Sequence, residues 1–122
     1  MPRARPVFDV VPYLYEIVEA AQDVYDAWEP ENYAGGGICD DIAEAVADVL
    51  IEHGYDAGTF HFEQDNHTVA TVTVDGKHYE VDIPMWVYEW GSWYSYTKIP
   101  GVTFVPADVV VMELDFDPSE DC

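Results

Sequence analysis

Gly37-Ile38-Cys39-Asp40-Asp41-Ile42-Ala43 is the stretch of sequence on which a prediction of the fold depends most. After it, apolar residues recur at helical spacing as far as His53, and Gly54 is a typical residue just beyond a helix end. The pattern predicts a helix over residues 39–53 with Cys39 in its first turn. A thiol in that place lies at the positive end of the helix dipole, which favours the thiolate.

A second helical pattern precedes this one. Apolar residues recur at helical spacing near residues 11–29, and Pro30 is a natural stop. These apolar residues are Leu14, Ile17, Val18, Ala21, Tyr25 and Trp28. The chain is therefore predicted to begin with two amphipathic helices.

The sequence after the helices has the alternation of strands. Ala57–Glu63 alternates, and the segments Thr68–Val74 and Lys77–Ile83 flank Asp75-Gly76, a strong signal for a two-residue hairpin turn. Two helices followed by antiparallel strands indicate a single α+β domain over residues 1–122, with the helices packed on the sheet.

The remaining sequence has weaker patterns. Met85–Lys98 is rich in Trp and Tyr without a regular period, which predicts an ordered loop. Val102–Val105 and Val109–Leu114 are predicted to be further strands, followed by an acidic tail from Asp115.

The hairpin brings two polar residues together. If Val74 pairs with Lys77 across the turn, His67 and Asp82 are diagonal neighbours on one face, with Cβ atoms within about 7–8 Å. An imidazole and a carboxylate can form a hydrogen bond over that separation. The opposite face is apolar, so a slip of register is costly. Its residues are Ala70, Val72, Val74, Tyr79, Val81 and Ile83.

The charge of the chain limits its partners. Twenty-five acidic residues against four Lys or Arg give a formal net charge of −21, which repels nucleic acids and anionic membranes. Such a surface suits high salt, where screening weakens self-repulsion. The alternative is a charge mimic, possibly of viral origin, that occupies the basic site of a partner protein.

Composition also bears on location and redox state. The 49% hydrophobic fraction is enough for one core, but no apolar run approaches the roughly 20 residues of a membrane helix. No apolar region follows Arg3 and Arg5, which argues against a signal peptide. With only Cys39 and Cys122 present, we expect two thiols in a cytoplasmic protein.

Three pieces of the sequence, taken in order, resemble the transglutaminase-like superfamily, which belongs to the papain-like cysteine-protease fold. They are Gly-Ile-Cys-Asp-Asp-Ile-Ala around Cys39, the helix end His53-Gly54-Tyr55-Asp56-Ala57, and His67-Thr-Val-Ala-Thr-Val-Thr-Val-Asp-Gly-Lys-His-Tyr-Glu-Val-Asp82. The resemblance covers about residues 35–84. It implies that Cys39 is the nucleophile, His67 its base and Asp82 the residue that orients the base.

The resemblance also implies a chemistry. Proteins of this kind transfer acyl groups in amide hydrolysis, deamidation or crosslinking, with a peptide or protein amide as substrate and without a metal or an organic cofactor. The base takes the proton of the thiol, the thiolate attacks a carbonyl, and water or an amine resolves the acyl-enzyme. Asp40 and Asp41 depart from a favourable setting, because negative charge beside the thiol opposes the thiolate.

The rest of the candidate site is open at the level of sequence. Gln22, Trp28 and Tyr33 are unranked candidates for a side-chain oxyanion donor. Aromatic residues after Asp82 are expected either to line a substrate groove or to pack in the core. Those assigned to substrate binding are Trp86, Tyr88, Trp90 and Trp93.

Two other site types are not favoured by the sequence. The glycines at 35–37 lack the Lys and Ser or Thr of a phosphate-binding loop. His53 is expected at a helix C-terminus, and His61 and His78 on half-exposed strands. The spacing of these histidines and of the cysteine does not match that of known zinc ligands.

Overall fold

In the computed structural model, residues 11–28, 38–90, 97–99 and 101–120 are described. Two helices come first: α1, Leu14–Ala27, follows a 3-10 turn at Val11–Tyr13, and α2 spans Ile38–Glu52. Both present an apolar stripe, and the stripe of each is buried. The two predicted helices are confirmed, with ends shifted by one to three residues.

The end of α2 has a clear local cause. Gly54 adopts a φ of +90°, which only glycine adopts at little cost. Its N–H donates to the carbonyl of Ile51 at 2.9 Å, and the N–H of Tyr55 donates to that of Leu50 at 3.0 Å. These two bonds form a Schellman motif, which satisfies carbonyls that the helix end would otherwise leave unpaired.

A four-stranded antiparallel sheet follows the helices. It consists of β1 (Asp56–Phe62), β2 (His67–Val74), β3 (Lys77–Asp82) and β6 (Val110–Leu114), in that spatial order. The turn between β2 and β3 has φ values of +55° at Asp75 and +79° at Gly76, as a type I′ hairpin requires. Val74 pairs with Lys77, so the predicted register is confirmed.

The region after β3 differs from the prediction. It contains a short helix α3 (Met85–Tyr88) and a two-stranded ladder of β4 (Glu89–Trp90) with β5 (Thr97–Lys98), where a loop had been expected. One helical turn and two-residue strands are too short to produce a recognisable period in the sequence.

The predicted strand Val102–Val105 is absent among the described residues. The side chain of Gln22 on α1 supplies the hydrogen bonds that a strand partner would supply. Its amide nitrogen donates to the carbonyl of Val102 at 3.0 Å, and its oxygen accepts from the N–H of Phe104 at 2.8 Å. Phe104 is thereby held in the core against Tyr25 and Tyr88.

The core lies between the helices and one face of the sheet. Tyr79, Val81 and Ile83 of the predicted apolar face are fully buried against the helix stripes. On the other face, the rings of Phe60, Phe62 and Phe116 form a smaller cluster with centroids 4.9 to 6.3 Å apart. This architecture confirms the α+β class, with two helices preceding an antiparallel sheet.

No helix among the described residues combines the length and the apolar character that a membrane span requires.

Candidate active site

His67 and Asp82 form the centre of the candidate site. His67 is the first residue of β2 and Asp82 the last of β3, and the hairpin register places them diagonally across one face. His67 Nε2 lies 3.1 Å from Oδ1 and 3.0 Å from Oδ2 of Asp82, and each side chain is only 12% exposed. The predicted hydrogen bond between them is confirmed.

The protonation of His67 is set by two acidic neighbours. Burial of the ring disfavours its positive charge. The hydrogen bond that the ring donates to Asp82, its interaction with Cys39 and the charges of these two groups favour the positive charge, and together they outweigh burial. Together they raise the pKa of His67 from 6.5 to about 10. His67 is therefore an imidazolium at neutral pH.

Cys39 is the third residue of the candidate site. It lies in the first turn of α2 and is only 4% exposed. Asp82 holds Nε2 of His67, and the other ring nitrogen, Nδ1, is buried and has no hydrogen-bond partner among the described residues. Interaction with Cys39 is one of the causes that raise the pKa of His67, so the thiol and the imidazole belong to one site.

A polar network holds the start of α2 against the sheet. The hydroxyl of Thr68, next to His67, donates to the carboxylate of Asp40, next to Cys39. Because its only proton is used there, the Thr68 oxygen accepts from Nδ1 of His61, 2.8 Å away. The network thus fixes the two chain segments that carry the thiol and the imidazole. It also gives the carboxylate of Asp40 a hydrogen-bond partner, Thr68, whereas the sequence indicated only that this charge opposes the thiolate.

We predict that Thr68→Val lowers the free energy of unfolding by about 1–2 kcal/mol, because it deprives both Asp40 and His61 of a partner. Thr73→Val is the matched control, since Thr73 on the same strand bonds to Nδ1 of His78, at 2.9 Å, and does not contact Asp40. Urea unfolding at pH 7 should show a loss of less than about 1 kcal/mol for the control. Equal losses of unfolding free energy in the two variants would mean that the hydrogen bond between Thr68 and Asp40 adds no stability.

None of the three residues considered from the sequence is assigned as the oxyanion donor. Gln22 is engaged with the backbone of Val102 and Phe104 and with Asp26, so it acts as a structural clamp. Trp28 is buried and borders a cavity that it shares with Asp41 near the start of α2. Tyr33 lies outside the described residues, as do the glycines at 35–37.

The four aromatic residues assigned to substrate binding are placed differently from one another. Trp86 is 78% exposed and borders a cavity beside His67. Tyr88 does not line a groove, since its side chain is fully buried in the core and packs against Phe104. The backbone of Trp90 lies in β4, and Trp93 lies outside the described residues.

The other histidines have local partners. His53 Nε2 lies 2.8 Å from Glu16 and its ring stacks near that of Tyr13, so it contacts α1 as well as the end of α2. His78 Nε2 lies 3.8 Å from Asp117. Within the described part of the chain, no group of three or more His, Cys, Asp or Glu side chains is placed to hold a metal ion.

Sequence reasoning missed Glu80, which lies beside the candidate site. Burial raises the pKa of Glu80, the charge of Asp82 raises it further, and His67 lowers it. Strand alternation was a sufficient signal, because Glu80 is two residues before Asp82 and shares its face.

Comparison with known proteins gives no match. No family model fits the chain, and neither a curated protein nor a solved structure is similar to it.

Proposed function

We propose that the protein is a cysteine-dependent acyl hydrolase or acyl transferase in which Cys39, His67 and Asp82 act together on a peptide or protein amide. The observation that supports this proposal is the setting of the His67 imidazole. Nε2 is held by both oxygens of Asp82, the buried Nδ1 has no hydrogen-bond partner among the described residues, and the ring interacts with Cys39 in the first turn of α2. The resemblance to transglutaminase-like and papain-like proteins assigns these roles to the same three residues.

In the proposed mechanism, the proton of Cys39 resides on Nδ1 of His67. The thiolate sulfur forms a bond to the substrate carbonyl carbon, and the electron pair of the C=O bond moves to oxygen. Backbone N–H groups in the first turn of α2 have no partner within the helix, so they are suited to stabilise that oxyanion. No metal or organic cofactor has a role in these steps.

Collapse of the intermediate expels the amine, which takes the proton from Nδ1. Neutral His67 then accepts a proton from water or from an amine, whose attack on the thioester releases Cys39. Asp82 keeps Nδ1 directed at the thiol throughout, since the bond to Nε2 fixes the orientation of the ring. The burial of Cys39 requires that the site open when substrate binds.

An activated ester tests this proposal without knowledge of the natural substrate. In a Cys122→Ser background, the protein is expected to release p-nitrophenolate from p-nitrophenyl acetate in a burst, with the acetyl group recovered on the peptide that contains Cys39. Cys39→Ala should reduce release to the rate in buffer while circular dichroism stays unchanged. Equal release by the two proteins would overturn the assignment of Cys39.

A second candidate function is non-catalytic binding of a basic protein. Asp41, Glu44 and Asp48 lie along one side of α2 and border a cavity of about 400 Å³ next to Trp28. With a net charge of −21, such a surface favours a basic partner and disfavours nucleic acid. This function would survive Cys39→Ala and weaken steeply with salt. For either function we propose a cytoplasmic location, where Cys39 stays reduced.

A further inference from the structure

A cavity of about 450 Å³ adjoins the His67–Asp82 pair, on the side where β3 meets β6. Its volume lies within the range of about 300–1,000 Å³ that is typical of ligand sites. Of the large apolar side chains that the structure leaves most exposed, two border this cavity: Trp86, at 78%, and Met112, at 56%. Apolar side chains that are exposed together at a concave surface are typical of a binding site.

The cavity is also negatively charged. Asp65 and Glu80 line it together with Asp82. His67 also borders the cavity and is ion-paired with Asp82, and its charge acts on Glu80 as well, so the three carboxylates face a single cation among the described residues. Glu80 is half-buried, and it pairs with Met112 across β3 and β6. A carboxylate in such a place gains more from a bound cation than a fully solvated one, because its charge is less screened by water.

The remaining wall suits an aliphatic chain that carries a charge at its end. Met85 and Pro84 lie next to Trp86 at the cavity. Thioether and methylene groups pack against an aliphatic stem, and an indole face attracts a guanidinium or ammonium group. A purely apolar ligand would leave the carboxylates unpaired, and an acidic ligand would be repelled by them.

We infer that this cavity binds a lysine or arginine side chain of a peptide. As a specificity site for catalysis, this inference rests on the proposed function, because it places the basic residue beside the imidazole that serves the reacting bond. The binding step itself does not depend on Cys39.

The test is NMR titration of the full chain, in the Cys39→Ala variant as well as in the wild type, with Nα-acetyl-arginine amide. We expect shifts of the Trp86 indole N–H and of the backbone of Glu80, and much weaker binding of the norleucine and glutamate analogues. Glu80→Gln should weaken arginine-amide binding about fivefold to tenfold, which corresponds to about 1.0–1.4 kcal/mol. Glu52→Gln removes the same charge from the exposed end of α2 and should have no effect.

The outcomes separate this inference from the proposed function. Equal affinity for arginine and norleucine amides, or equal effects of Glu80→Gln and Glu52→Gln, would overturn the cationic site. If Glu80→Gln is poorly folded, Trp86→Ala is tested instead, because the Trp86 side chain is mostly exposed and its loss should not affect folding. Unchanged binding of the arginine amide by Trp86→Ala would also overturn the cationic site. Specific binding by a protein whose Cys39 forms no acyl-enzyme would support the site and refute the catalysis.

Discussion

Replacement of His67 by glutamine is expected to slow the alkylation of Cys39 by iodoacetamide at pH 6 about tenfold. The thiolate is the nucleophile, and a neighbouring imidazolium favours the thiolate over the thiol. Because a stabilised thiolate is also less nucleophilic, the net loss in the variant is only about tenfold.

Two controls make this result specific. Cys122 in the same molecule should react at the same rate in the wild type and in the variant. His78→Gln changes a histidine that contacts Thr73 and Asp117, so it should leave the rate at Cys39 unchanged. A rate at Cys39 that does not respond to His67→Gln would mean that the imidazole does not activate the thiol.

Asp82→Asn is expected to destabilise the protein by about 3 kcal/mol at pH 6, because it leaves a buried imidazolium without its carboxylate. The pKa of His67 is raised in the folded state, from 6.5 to about 10. The stabilisation that results is fully present below pH 6.5 and is lost as the pH rises through about 10. The difference between the wild type and the variant should therefore shrink to less than about 1 kcal/mol near pH 10.

Urea unfolding at pH 6, 8 and 10 measures this trend. Glu113→Gln is the control, since it removes an exposed carboxylate from β6, and it should change stability by no more than about 0.5 kcal/mol at any pH. A loss in Asp82→Asn that does not change with pH would mean that Asp82 acts on a neutral imidazole.

The parts of the site that could be predicted are those determined by residues close together in the sequence. Asp75-Gly76 fixes one register, and that register alone places His67 and Asp82 on a common face. The apolar stripe after Cys39 and the glycine at position 54 define α2 in the same way. Short-range spacing was sufficient in both cases.

The parts that could not be predicted depend on contacts between segments distant in sequence. No local pattern indicates that β6 pairs with β3, and this pairing brings Met112 to the cavity beside Glu80. The bond between Thr68 and Asp40 joins residues 28 positions apart. The clamp by Gln22 replaces a predicted strand through bonds that span 80 and 82 positions.

The most direct measurement is the titration of the His67 imidazole, followed by nitrogen-15 NMR from pH 5 to pH 11 in a Cys122→Ser protein and in the same protein with Cys39→Ala. Interaction with Cys39 is one of the causes that raise the pKa of His67 to about 10. We therefore predict that His67 titrates near pH 10 in the protein that retains Cys39 and at a lower pH in Cys39→Ala. The same titration in both proteins would contradict the pairing of Cys39 with His67.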